Sequence, residues 1–146
     1  MRKWAIILGV TLVVARGYAL PKELTLEQLK ARAQNAKPDE RANLCAQIAE
    51  REVDAADKLY TDGKVEEAEA AIHDVVSYSQ QAGDTAGQTG HHLKNIEIAM
   101  RKMGHRLTDI KRGLPFENQA TVQAAVDTLE KIRTDLLNRM FGKNPK

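Results

Sequence analysis

The chain has 146 residues, 42% of them hydrophobic and only 4% aromatic, which is the size of one domain with an aliphatic core and suits packed helices better than a Val- and Tyr-rich sheet. Its 22 Lys+Arg and 20 Asp+Glu give a formal charge of +2, but Arg2, Lys3 and Arg16 fall in an N-terminal targeting segment, and without them 19 basic residues face 20 acidic ones for a charge of −1. A near-neutral domain of interspersed signs has no footprint for nucleic acid, and a lone cysteine, Cys45, excludes a disulfide scaffold or a Cys-x-x-Cys-His haem attachment.

Residues 1–19 read as a secretory signal peptide. Arg2 and Lys3 form the positive start, Trp4 to Ala15 is an apolar run, and Gly17 and Ala19 are the small residues a signal peptidase accommodates. The apolar run is far shorter than the roughly 20 residues that span a bilayer, and Arg16 closes it. Cleavage after Ala19 is therefore expected, with an exported product, periplasmic or secreted, that has no stable membrane insertion. The expected organisation is a signal peptide over 1–19, an all-helical domain over 20–141 and a flexible tail over 142–146.

Thr25 followed by Gln28 has the spacing of a capping box and predicts a short first helix to about Asn35. Pro38, with Asp39 and Glu40, fits the first turn of a second helix, whose stripe Leu44, Ile48, Ala55 or Ala56, and Leu59 recurs at helical spacing until Asp62-Gly63 ends it. A third helix from about Lys64 places Val65, Ala68, Ile72, Val75 and Val76 on one face, with Glu66, Glu67, Glu69 and Asp74 toward water; so short a connection predicts a tight hairpin. Gly83, Gly87 and Gly90 predict a loop or frayed helix over 81–90, because glycine has low helix propensity. From His91, the positions Leu93, Ile96, Met100, Met103, Leu107, Ile110 and Leu114 alternate steps of three and four. After Gly113 and Pro115 a last helix from about Asn118 repeats the alternation at Val122, Ala125, Leu129, Ile132, Leu136 and Met140. These matching seams predict an antiparallel hairpin. The fold class is thus all-α, a small bundle of about five helices ending in a long heptad-patterned hairpin. The first three helices are expected to cover the hairpin's other faces; a homodimer would cover whatever they leave.

No active site is apparent in the sequence. His91 and His105 are fourteen residues apart, about 21 Å along a helix at the usual rise, so one metal ion cannot bind both; they are expected on a shared wet face, with His92 and His73 pointing elsewhere. Glu50, Glu52, Asp54, Glu66, Glu67 and Glu69 are spaced as solvated faces, and Ser77 and Ser79 lie in a polar run with no nucleophile turn. Cys45 beside Leu44 reads as a small buried apolar residue, and Met100, Met103 and Met140 as core filling. No catalytic, cofactor-binding or metal-ligating residues are assigned, and the chain is expected not to be an enzyme.

Two resemblances add to this. Ala56, Leu59, Gly63, Val65, Ala68, Ile72 and Val75 resemble a single tetratricopeptide hairpin over 53–81, with Gln80 in place of the closing Pro and no second copy at the family's period. Leu24-Thr25-Leu26-Glu27-Gln28 resembles the Leu-Thr-x-x-Gln motif of small periplasmic stress proteins of the CpxP and Spy type, whose second copy is replaced here by Leu107-Thr108-Asp109-Ile110-Lys111. The first resemblance implies local hairpin geometry. The second implies a cofactor-free chaperone that binds unfolded clients. The expected function is non-enzymatic binding of a polypeptide or envelope component, chaperone-like in one form. The rival is a ligand or metal carrier built in the bundle.

Overall fold

The computed structural model describes residues 23–142, so the expected signal peptide and all but Gly142 of the expected tail lie outside the described residues. It consists of α1 (Leu26–Asn35), α2 (Pro38–Thr61), α3 (Val65–Thr89), α4 (Leu93–Arg112) and α5 (Gln119–Phe141), with a short 3-10 turn at Phe116–Asn118 before α5. The all-α class and the terminal antiparallel hairpin are as the seams predict.

The boundaries follow local chemistry. Thr25 accepts from the Gln28 amide while its own N–H donates to the Gln28 side chain, so the capping box satisfies two of the free donors at the start of α1. Pro38 occupies the first turn of α2, and Gly63 takes a left-handed φ of 75° in the turn to α3. The expected loop over 81–90 is corrected: α3 continues through Thr89 and stops at Gly90, whose φ is 71°. Gly83 and Gly87 face α5, and a Cβ on Gly83 would stand 2.6 Å from Ile132 Cγ2, so the missing side chain is what lets the two helices approach. The start of α4 also moves, from His91 to Leu93, because His92 adopts a left-handed φ of 60° ahead of it.

Beyond these local stops, the long helices are arranged as two hairpins stacked in the same sense. Asp39 with His91, Asp54 with Arg106, Glu69 with Thr121 and Gly87 with Arg139 are all contacts between residues 52 apart. Hence α4 runs parallel to α2, and α5 parallel to α3. The α4 and α5 seams bury Ile96, Met100, Met103, Leu107, Val122, Leu129 and Leu136 between the hairpins. The first three helices do not all cover the terminal hairpin as expected. α1 packs on α2, antiparallel to it, through the stripe Arg41, Cys45, Ile48 and Glu52, which points away from the stripe Asp39, Glu50, Asp54 and Asp57 that meets α4. The layers are thus α1, then α2 with α3, then α4 with α5. The outer face of α4 and α5 is polar, with Arg101, His105, Thr108, Glu130 and Arg133 lining a shallow cleft.

Candidate functional site

Stacking two parallel hairpins leaves two long edges, and they differ in chemistry. At the α3/α5 edge, Ile72 and Val76 of α3 face Ala120, Thr121, Ala124, Ala125 and Thr128 of α5 across an open groove of about 410 Å³, with His73 at its rim. The groove exists because α5 turns its small side chains outward here, while Gly83 and Gly87 hold the same two helices together further along. Val122, Ala125 and Leu129 are committed to the core, so Ala120, Ala124 and Thr128 are the surface positions left between the seam and the groove.

The α2/α4 edge is charged. Arg106 of α4 lies 3.0 Å from Asp54 and 3.4 Å from Asp57, and His91 Nδ1 lies 2.9 Å from Asp39 Oδ1. Two adjoining clefts of about 300 and 350 Å³ share Arg106 and are lined by Glu50, Lys102, Asp57, Tyr60, Asp109 and Leu114. Burial pushes the Glu50 carboxyl above its ordinary pKa; the Lys102 charge opposes this and Asp54 adds to it. Burial likewise raises the Tyr60 phenol, whose hydroxyl is enclosed without a hydrogen-bond partner.

A third cluster lies beneath α1. Lys30 Nζ is 2.7 Å from Glu52, 2.9 Å from Asp74 and 5.6 Å from the centre of the Tyr78 ring, tying α1 to both helices of the first hairpin. Burial opposes the Lys30 charge, but the bonds to Glu52 and Asp74 outweigh it and hold the ammonium above its usual pKa. Burial raises Glu52, and Lys30 limits the rise. The expectation that Glu52 belongs to a solvated face is corrected here: it is 4% exposed, whereas the Asp74 side chain stays 45% exposed, as expected. The burial of Glu52 comes from α1 crossing above it, a tertiary event that charge spacing along α2 does not encode. Glu97, which no sequence motif singles out, is 7% exposed and accepts from Arg133 Nε at 2.7 Å.

Cys45 is free and buried, as expected of a small apolar residue, and burial raises its thiol pKa. Met100 and Met103 are core, also as expected, but Ser79 is not in a polar run: it is fully buried with an unpartnered hydroxyl. His91 and His105 do not share a face. His91 precedes α4 and turns to Asp39, whereas His105 lines the outer cleft with Arg101, and no group of three His, Cys, Asp or Glu side chains positioned for a metal ion occurs among the described residues. No helix among the described residues is long and apolar enough to cross a membrane. Both phenylalanines are exposed, Phe116 at 88% and Phe141 at 79%, whereas Tyr60 and Tyr78 pack against the core.

Comparison of the chain with protein-family models, curated proteins and solved structures finds no match.

Proposed function

We propose that the chain is exported, loses residues 1–19, and acts by binding a polypeptide or envelope component, without chemistry or a cofactor, on its α3/α5 edge. The observation that carries this reading is the asymmetry of the edges. One is lined by charged side chains that pair between α2 and α4; the other is an open groove with buried Ile72 at its floor and half-buried Val76 beside the exposed Ala120 and Ala124. An amphipathic helix or extended segment laid along it buries its apolar side chains there, each fully buried Leu or Phe contributing roughly 1.5–3 kcal/mol. Small residues on α5 let the partner's backbone come close. The resemblance of Leu24–Gln28 to the periplasmic stress-protein motif favours unfolded chains as clients.

Ala124→Arg tests the seat of binding. Ala124 is exposed, so the substitution fills the groove with little effect on stability. The wild-type domain is expected to suppress aggregation of an unfolded client or to capture a defined partner from envelope extract, and the variant to lose that activity. Retention of full activity by Ala124→Arg removes the groove from the reading, and stoichiometric metal in the purified protein replaces it with the carrier.

A further inference from the structure

We propose that α1 is a hinged cover, opening from α2 and α3 while the four long helices stay folded, and that its opening gives solvent access to Cys45. Position comes first. Arg41 donates to the Ala33 and Ala36 carbonyls at 3.2 and 2.9 Å, and Lys30 reaches Glu52, so the face of α2 that carries Arg41 and Glu52 is the face under α1. Cys45 lies between them on that face, one turn after Arg41. The antiparallel register from Arg41–Ala33 to the bond between Arg51 and the Leu24 carbonyl places it opposite Leu29. The thiol is 1% exposed and Leu29 3% exposed in the same cluster.

The hinge is short and non-helical. Ala36 and Lys37 are both extended, with ψ of 151° and 155°, and Pro38 biases the residue before it away from helix. They are the covalent connection between α1 and the stack. The cover is held thinly: Leu29, Ala33 and Ala36 are its buried apolar residues, with Leu26 half-buried, whereas α2 and α3 are locked along their whole length. A ten-residue helix is marginal by itself, so α1 is ordered by docking and loses order when lifted. The remaining hold is polar and reversible. On opening, Lys30, Glu52 and Asp74 all regain water, so the net worth of the latch is well below the strength of its contacts. Such an element opens locally at lower free energy than the fold as a whole.

Alkylation of Cys45 by iodoacetamide in the exported form, followed by intact mass, reads the opening directly, because this cysteine is the chain's only thiol. Lys30→Met leaves Glu52 unpaired only when the cover is closed, and Leu29→Ala thins the apolar hold without touching charge. Each is expected to raise the alkylation rate by about tenfold or more, the effect of losing one charged hydrogen bond or one buried side chain. Met103→Ala, in the seam between α4 and α5, lowers global stability and is expected to leave the rate without denaturant unchanged. In the unmodified protein, α1 amides are expected to exchange with deuterium ahead of the α2 amides. Equal acceleration by Met103→Ala means that Cys45 reacts through global unfolding and overturns the proposal, as does an unchanged rate in both cover variants or equal protection of α1 and α2.

Discussion

Gly83 and Gly104 are both glycines inside long helices, yet opposite outcomes are expected for the same substitution. A Cβ on Gly104 meets nothing within 4 Å, so Gly104→Ala should stabilise by about 0.5–1 kcal/mol, the helical advantage of Ala over Gly. At Gly83 the added methyl would lie 2.6 Å from the branched Cγ2 of Ile132, and Gly83→Ala should destabilise by about 1–3 kcal/mol, as overpacking does. Chemical denaturation of the pair decides it, and Ile132→Ala in the Gly83→Ala background should recover part of the loss if the contact is the cause. Titration points one way for six side chains. Glu50, Glu52, Cys45, Tyr60 and Tyr78 are acids held above their ordinary pKa values, first by burial, and Lys30 is held above its own by its two carboxylates. Each group therefore binds protons more tightly in the folded chain than in the unfolded one, so its contribution to stability is present at low pH and declines as pH rises through the shifted value. The midpoint of thermal unfolding should be higher at pH 5 than at pH 7 and should fall steeply once pH passes the ordinary thiol and phenol values of 9.0 and 10.0. A midpoint that rises from pH 5 to 10 would contradict the assignment.

Along α4 and α5 the sequence reads almost directly as structure, because a core-facing seam repeats with the helical period whatever lies on the other side. Met103 and Leu129 are 3% and 1% exposed, and truncating either to Ala should destabilise by roughly 2–5 kcal/mol. Gln123 is half-buried, accepting from Lys111 and donating to Asp127 at 2.8 Å, and Gln123→Ala should cost no more than about 1 kcal/mol. The second half of α3 was opaque for the complementary reason. Low propensity at Gly83 and Gly87 argues for a loop until α5 is known to lie against them, and only then do the same glycines argue for close packing. Glu52 is a similar case, since its partner Lys30 comes from a helix whose docking no local pattern reveals. The groove was legible even less. Ala120, Ala124 and Thr128 look like ordinary helix surface until α3 stands beside them.

The stacking of two hairpins in one sense is a property of the whole molecule, and it leaves no periodic trace because the two hairpins share topology without repeating residues. It makes one edge polar and the other apolar, and salt tells them apart. At the α2/α4 edge, Asp54, Asp57 and Arg106 are each about half exposed, so their pairing contributes little to stability and is screened when the Debye length shrinks to about 3 Å at 1 M salt. Unfolding of the domain should accordingly shift by no more than about 1 kcal/mol between low and high salt. A partner seated between Val76 and the exposed Ala120 and Ala124 of α5 is held by apolar burial, which salt does not screen. Its affinity should stay within about threefold from 0.1 to 1 M sodium chloride, whereas a partner held at the charged edge would lose on the order of tenfold or more as its ion pairs are screened. Titration calorimetry of the captured partner across that range measures the difference. A steep loss with salt would move the binding seat from the α3/α5 groove to the edge that Arg106 bridges.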